Sequence, residues 1–187
     1  MLLVQKGVAG PGDGHAIDVV DVGAGVGVVG LCLARRLAGA RVILVEREEE
    51  LLALARENIV RNGLADRVTA VAFDVTAPGG GALPIGSEHA DVVLANPPFG
   101  GIGEGSAPPV RLKAAAHQMA AADQDRWVRF MARTCKPGGR VTLIHRADAL
   151  AGVLASVGRR FGALRVRPIQ PRADEPASRI LVSGVKG

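Results

Sequence analysis

The sequence predicts a single α/β domain, residues 1–187, with helices on both faces of a doubly wound, mostly parallel sheet. Short apolar runs rich in Val and Ile alternate with segments of helical periodicity, which is typical of parallel strands joined by crossover helices. Two extended runs, 163–169 and 179–185, close the chain with only a turn-rich segment between them, and they predict an antiparallel hairpin at one edge. The chain is 48% apolar and long enough for one sizeable core.

Five strands are predicted before this hairpin, because each run is apolar and rich in β-branched residues. They cover residues 17–22, 41–46, 67–75, 90–95 and 140–145. The segment KPGG, residues 136–139, predicts a turn before the last of these strands, since Pro and Gly together favour chain reversal.

Four helices are predicted between the strands from apolar residues at helical spacing. The first, 26–38, is apolar over most of its length and is closed by Gly39. The second begins with three glutamates, which favour the positive N-terminus of a helix, and ends at Asn62-Gly63. The other two helices cover residues 123–135 and 150–157.

Charge is unevenly distributed along the chain. Residues 1–99 carry 8 basic and 12 acidic side chains, a net charge of −4, whereas residues 100–187 carry 15 basic and 6 acidic ones, a net charge of +9. A basic half favours a phosphate-backbone partner. An arginine-rich composition imposed by a GC-rich genome is the alternative explanation of the same excess.

The cysteines and the hydropathy pattern indicate the cellular compartment in which the protein is expected. Cys32 and Cys135 occur singly in apolar helical patterns, so we interpret both as core thiols of a reduced, cytoplasmic protein and predict no metal site. No run of 18 apolar residues occurs, which excludes a transmembrane helix.

A glycine-rich loop, DVGAGVG, follows the first strand. The sequence places Asp21, Gly23, Ala24, Gly25 and Gly27 where a ligand binds outside the carboxyl end of a strand in an open α/β sheet. Glycines there allow a sharp turn and a close approach of the backbone to a ligand. With Gly30 the same loop also spells the G-x-G-x-x-G dinucleotide pattern, which is a weak signal because the chain contains 25 glycines.

Two carboxylates follow neighbouring strands. Glu46 ends the second strand and Asp74 lies near the end of the third, so both side chains should reach the crevice beside the glycine loop. A carboxylate after the second strand can accept both hydroxyls of a ribose, and one after the third can accept from the amine of an adenine. Two such residues together favour ligand binding over helix capping or solvent exposure.

The fourth strand stops at Asn96, because the following prolines have no N–H to donate to a sheet ladder. Phe99 completes the tetrapeptide NPPF and lies between Pro98 and two glycines, where no periodic apolar face would bury its ring.

The glycine loop, Glu46, Asp74 and NPPF, in this order, resemble the class I, Rossmann-fold methyltransferases that use S-adenosylmethionine (SAM). NPPF is similar to the [D/N/S]-P-P-[Y/F/W] signature of members that methylate planar nitrogens. The resemblance implies that SAM is the cofactor and that Asp21, Gly23, Ala24, Gly25, Glu46, Asp74 and Asn96 bind it.

The resemblance also implies catalytic roles for Asn96, Pro97 and Phe99. The Asn96 side-chain carbonyl and the Pro97 backbone carbonyl would accept the two N–H bonds of an exocyclic amine. This holds the nitrogen lone pair toward the methyl group of SAM. The Phe99 ring would stack on the base, a contact worth about 1–3 kcal/mol. The sulfonium is already a good electrophile, so no metal is expected.

Within the class, NPPF, RLKAAAH, KPGGRVTLIHRAD and the closing RILV are most similar to bacterial adenine-N(6)-methyltransferases that act on a valine tRNA. The implied partner is RNA, and no membrane partner is expected. His117 is either a substrate contact or a surface histidine. Arg111, Lys113 and Arg146 are candidate phosphate contacts or solvated surface residues.

Only sixteen residues precede the first strand, whereas the family usually carries a few dozen there. We therefore hypothesise that residues 1–16 are the remnant of a longer segment that helps to cover SAM. The alternative functions are methylation of a guanine amino group in ribosomal RNA, methylation of a protein glutamine, a non-catalytic SAM- or RNA-binding subunit, and a nicotinamide-dependent oxidoreductase.

Overall fold

The computed structural model describes residues 16–77, 85–97 and 121–187. Their strands form one seven-stranded sheet in the order β3-β2-β1-β4-β5-β7-β6. The strands are β1 (Ile17–Val22), β2 (Ala40–Glu46), β3 (Val68–Ala72), β4 (Ala90–Ala95), β5 (Cys135–Arg146), β6 (Gly162–Ile169) and β7 (Arg179–Val185). The first five pair in parallel, and β7 is antiparallel to both β5 and β6. The predicted mostly parallel sheet and the antiparallel hairpin at its edge are confirmed.

Helices pack on both faces of the sheet, as predicted. They are α1 (Val28–Arg36), α2 (Glu49–Arg61), α3 (Ala121–Thr134) and α4 (Leu150–Val157), the last preceded by one 3-10 turn (Ala147–Ala149). Alternate residues of the central strands enter two separate apolar cores. Val19, Val42 and Leu94 pack on one face with residues of α1 and α2, whereas Val20 and Val93 pack on the other with residues of α3 and α4.

Three predicted elements had wrong boundaries. The third strand ends at Ala72 instead of residue 75, because the chain turns at Asp74 and leaves the ladder. The first helix begins at Val28 instead of residue 26, because Gly27 takes a left-handed conformation at its start. It ends at Arg36 instead of residue 38, because Leu37 is already extended. KPGG is not a turn but part of β5, since the Gly138 N–H donates to the carbonyl of Lys186 and the Gly139 carbonyl accepts from Lys186.

The two cysteines differ in their surroundings. Both are free thiols, and Cys135 is buried as predicted, whereas Cys32 is exposed. The prediction for Cys32 was wrong because position 32 points away from the sheet, while Leu31 and Leu33 on either side of it are buried. In the described residues no group of His, Cys, Asp or Glu side chains could hold a metal ion. Within the same ranges no helix is long and apolar enough to cross a bilayer.

Candidate active site

The ends of four strands meet at one edge of the sheet. The last residue of β1 pairs with the penultimate residue of β2 and with the last residue of β4. Continuing this register by one residue places Glu46 and Asn96 on either side of Gly23. The strand that leads to Asp74 lies next to β2. The predicted site residues of these four strands therefore share one edge, which we call the carboxyl edge.

The glycine loop is closed at one position and open at another. Gly23 and Gly25 both have left-handed backbone conformations, with φ of 64° and 58°. A Cβ atom at Gly23 would lie 2.2 Å from Cη2 of Trp127, so the indole ring of α3 packs directly against the loop backbone. At Gly25 no described heavy atom lies within 4 Å of the corresponding position. The loop is thus held from one side by Trp127 and leaves room for a ligand at Gly25.

Glu46 is held rigidly by backbone donors. Its side chain is buried, and Oε2 accepts the N–H of Gly25 at 2.8 Å. Oε1 accepts the N–H groups of Arg47 and Glu48 at 2.8 and 3.0 Å. Ion-to-amide hydrogen bonds of this kind fix a carboxylate in one orientation. Oε2 makes one hydrogen bond within the described residues, and a carboxylate oxygen has capacity for a further donor.

Asp21 lies beneath the loop rather than at its surface. It is 2% exposed, and its Oδ2 accepts the N–H of Gly30 in the first turn of α1 at 2.8 Å. Burial raises the pKa of Asp21 to about 7; the Gly30 hydrogen bond opposes this shift and the charge of Glu46 adds to it. Asp21 thus ties the end of β1 to the start of α1.

Asp74 is held by its own local turn. Its Oδ1 accepts the N–H of Thr76 at 2.8 Å and the Thr76 hydroxyl at 2.6 Å. The guanidinium of Arg47 lies 4.0 Å from the same oxygen, and the Asp74 side chain is 41% exposed. Within the described residues Oδ2 makes no hydrogen bond, so this oxygen is available to a ligand at the carboxyl edge.

Asn96 and Pro97 follow directly after β4. Asn96 is exposed and Pro97 is buried, which places the amide at the surface and the following ring against the core. Arg146, at the end of β5, pairs with Asp148. Phe99, Arg111, Lys113 and His117 lie outside the described residues.

Four residues at this edge were not predicted as part of the site. Trp127 lies in α3, and its contact with Gly23 joins positions 104 residues apart. Asn58 of α2 donates from Nδ2 to the carbonyl of Val26 at 3.0 Å and so holds the loop. Thr76 and Arg47 flank Asp74. An Asp-x-Thr spacing was the one local signal that could have revealed Thr76.

A sheet of this order, with a glycine loop after β1 and a backbone-held acid after β2, defines the class of Rossmann-like, SAM-dependent methyltransferases. A predicted O-methyltransferase from Agrobacterium tumefaciens has a similar solved structure, with a TM-score of 0.73 and 30% identity over 94% of this chain and 76% of that one. The predicted methyltransferase class is confirmed.

Residues 8–144 match the family described as "Methyltransferase small domain", and the chain belongs to that family. Two groups of curated proteins are similar to it. A release factor glutamine methyltransferase from Geobacter sulfurreducens is 37% identical over 87 residues, 46% of this chain and 27% of that protein. A tRNA1(Val) (adenine(37)-N6)-methyltransferase from Dyadobacter fermentans is 29% identical over 131 residues, 70% of this chain and 51% of that protein. The chain thus matches about a quarter to a half of these relatives' length.

Fold and family assign SAM as the cofactor, and the residues at the carboxyl edge fit it. The fit rests on the chemistry of the donor set: the held carboxylate of Glu46 suits a diol, and the Asp74 carboxylate suits an amine. The open position at Gly25 lies directly beside Glu46. The nicotinamide alternative loses its main support, because Gly30 is explained by packing: a Cβ there would lie 2.3 Å from Cδ2 of Leu44.

Proposed function

We propose that this chain transfers the methyl group of SAM to the exocyclic amine of an adenine in RNA, with tRNA as its substrate. The observation that carries the proposal is the extent of the match to the tRNA1(Val) adenine methyltransferase. That match spans 70% of the chain, whereas the match to the glutamine methyltransferase is confined to 46%. The net charge of +9 on residues 100–187 supports a phosphate-bearing substrate.

In this proposal the glycine loop and three side chains bind the cofactor. The buried carboxylate of Glu46 accepts the ribose hydroxyls, and it needs no reorientation because three backbone N–H groups already hold it. Asp74 accepts from the adenine amine of the cofactor through Oδ2. The exposed Asn96 borders both the loop and the substrate. When bound, SAM supplies an electrophilic methyl group on a sulfonium.

Asn96 and Pro97 orient the reacting amine. The amide carbonyl of Asn96 and the backbone carbonyl of Pro97 accept its two N–H bonds, so the nitrogen lone pair faces the donor methyl. Burial of the Pro97 ring fixes this backbone against the core. The same two acceptors fit a glutamine side-chain amide equally well, so geometry at Asn96 alone does not choose between nucleic acid and protein.

A second candidate function is therefore methylation of a release factor glutamine. The 37% identity of the Geobacter protein, higher than that of the tRNA methyltransferase, favours it. The basic charge of the C-terminal half is the observation against it, since a glutamine amide carries no charge for that half to recognise.

The deciding experiment is methyl transfer from labelled SAM to total bacterial tRNA and, in parallel, to a bacterial release factor. We expect label in N(6)-methyladenosine after digestion of the tRNA. Asn96→Ala should lower kcat by about 100-fold, because the amine loses one of two positioning acceptors. Asn62→Ala is the matched control, since Asn62 is an exposed amide at the end of α2 and should leave kcat unchanged.

Label in the release factor and none in the tRNA would overturn the proposal in favour of the second candidate. Equal activity of Asn96→Ala and the wild type would show that NPPF does not position the amine.

A further inference from the structure

We propose that one face of the C-terminal strands is the surface on which the RNA backbone docks; this inference rests on the proposed function. We call it the arginine face, and it consists of Arg140, Arg146, Arg165, Arg167 and Arg179.

The strand register places all five arginines on the same side of the sheet. Arg140 and Arg146 of β5 have the same parity, and Arg146 pairs with Arg179 of β7. The β6 residues Arg165 and Arg167 pair with Ser183 and Leu181 of β7. These two β7 residues lie on the same face of the strand as Arg179, because they are two and four positions away from it. Side chains of paired residues in a ladder point to the same face. The opposite side of these strands carries the buried core, including Val141, Leu143, Ile180 and Val182.

The charge on this face is of a single sign. No residue of β5, β6 or β7 is acidic. Arg140, Arg165 and Arg167 are exposed and make no ion pair with any described residue, while Arg146 pairs with Asp148. A guanidinium binds phosphate oxygens with two parallel N–H bonds, and it also stacks on bases. The guanidinium groups of Arg140, Arg165 and Arg167 are therefore complementary to a polyphosphate chain.

The arginine face starts at the proposed active site. The last residue of β4 pairs with Leu143, so the chain at Asn96 and Pro97 runs beside the final residues of β5. Arg146 and Arg179 form the pair nearest the carboxyl edge, and Arg167 and Arg165 follow on the outermost strand. With about 4.8 Å between neighbouring strands, β6 lies about 14 Å from β4. Flanking nucleotides of a base held at Asn96 would thus cross this face.

The alternative role for these arginines is to keep the edge strand soluble and unpaired. That role requires charge at β6 but no contact with RNA. The double variant Arg165→Gln/Arg167→Gln separates the two, because the uncharged side chains keep β6 polar while removing two phosphate contacts.

The test measures the dissociation constant for tRNA as a function of salt concentration. The slope of log K against log salt should fall in magnitude by about 1.4–1.8 in the double variant, which is 0.7–0.9 for each lost phosphate contact. The matched control is Arg35→Gln/Arg36→Gln, which removes the same charge from exposed positions at the far end of α1 and should leave the slope unchanged. SAM affinity should match the wild type in both variants.

Two further sets of variants test whether charge is the cause and provide an alternative if the double variant does not fold. Arg165→Lys/Arg167→Lys should restore most of the slope, because it restores the charge. If the Gln pair fails to fold, Arg165→Gln and Arg167→Gln singly should each lower the slope by about 0.7–0.9.

The failures of the two proposals are distinguishable. If the wild type methylates tRNA and the β6 variants keep its salt slope, the docking surface is wrong and the proposed function stands. If the wild type methylates only the release factor and binds tRNA without a salt-dependent slope, both proposals fall. If it methylates only the release factor and the β6 double variant weakens that protein's binding, the face binds an acidic protein surface instead.

Discussion

The two carboxylates at the carboxyl edge are held in different ways. Glu46 and the glycine loop are fixed by contacts between distant parts of the chain: Glu46 with Gly25, and Gly23 against the ring of Trp127. Asp74 is fixed by Thr76, two residues away, and its side chain is 41% exposed. Changes in the first region should therefore alter both folding and cofactor binding. Changes in the second should alter binding alone and by less.

Asp21 should give the largest effect on stability, through pH. Because the pKa of Asp21 is raised to about 7 in the folded chain, the fold favours the protonated form. Its stabilising contribution is complete below the unfolded pKa, near 3.8, and is lost as pH rises toward 7. Wild type should lose stability on the order of 4 kcal/mol relative to Asp21→Asn over that interval. Urea unfolding of both proteins at pH 4, 5.5 and 7 measures this.

A constant difference between wild type and Asp21→Asn across those pH values would show that the fold does not raise the pKa of Asp21. The asparagine retains an oxygen that accepts the Gly30 N–H, so loss of that hydrogen bond does not complicate the comparison.

Gly23→Ala should give the next largest effect on stability, a loss of about 2–5 kcal/mol in the free energy of unfolding. The left-handed backbone costs about 1–2 kcal/mol for alanine, and overpacking against Trp127 adds about 1–3. Gly25→Ala and Gly63→Ala are matched controls, because both positions are left-handed but have open space at Cβ among the described atoms. Each control should lower the free energy of unfolding by only the backbone cost of about 1–2 kcal/mol. Gly25→Ala should also weaken SAM binding, whereas Gly63→Ala should not.

Combining Gly23→Ala with Trp127→Leu should recover part of the loss, since the smaller side chain makes room for the methyl group. Additive effects of the two substitutions would rule out the contact as the cause.

Glu46→Gln should lower SAM affinity by about 100-fold, because a charged acceptor is lost and an NH2 group is placed among backbone N–H donors. Isothermal titration with SAM measures the change. Glu49→Gln is the control, since Glu49 is an exposed acid in the first turn of α2 and should leave SAM affinity unchanged. A loss of less than threefold for Glu46→Gln would remove this residue from the proposed cofactor site.

Asp74→Asn should produce the smallest effect, a loss of about five- to tenfold in SAM affinity with stability within about 0.5 kcal/mol of wild type. Thr76→Val removes the hydroxyl that orients Asp74 and should show a similar but weaker loss, while Thr76→Ser should retain wild-type affinity. If Asp74→Asn lowered SAM affinity as much as Glu46→Gln, the contrast between the two carboxylates would be wrong.

The same contrast explains what could be predicted from the sequence. The order of the strands, the edge hairpin and the position of Glu46 at a strand end follow from local patterns of apolar residues, and the structure agrees. Asp74 lies near the third strand as predicted, but two residues beyond its end. The contact of Trp127 with Gly23 depends on how α3 crosses the sheet, and no periodicity encodes it. KPGG was misassigned for a related reason. A turn rule considers only four neighbouring residues, whereas KPGG joins the sheet through hydrogen bonds to the distant residue Lys186.

The placement of β7 between β5 and β6 has a consequence for biosynthesis. β6 is joined to the sheet through β7 alone, although β7 is made after it. During translation the five parallel strands, and with them the carboxyl edge, can pair before Arg179–Val185 leaves the ribosome. Until Arg179–Val185 emerges, β5 and β6 both present unpaired backbone groups to other nascent chains. Pairing of β7 with both strands then closes the edge of β5 and one edge of β6.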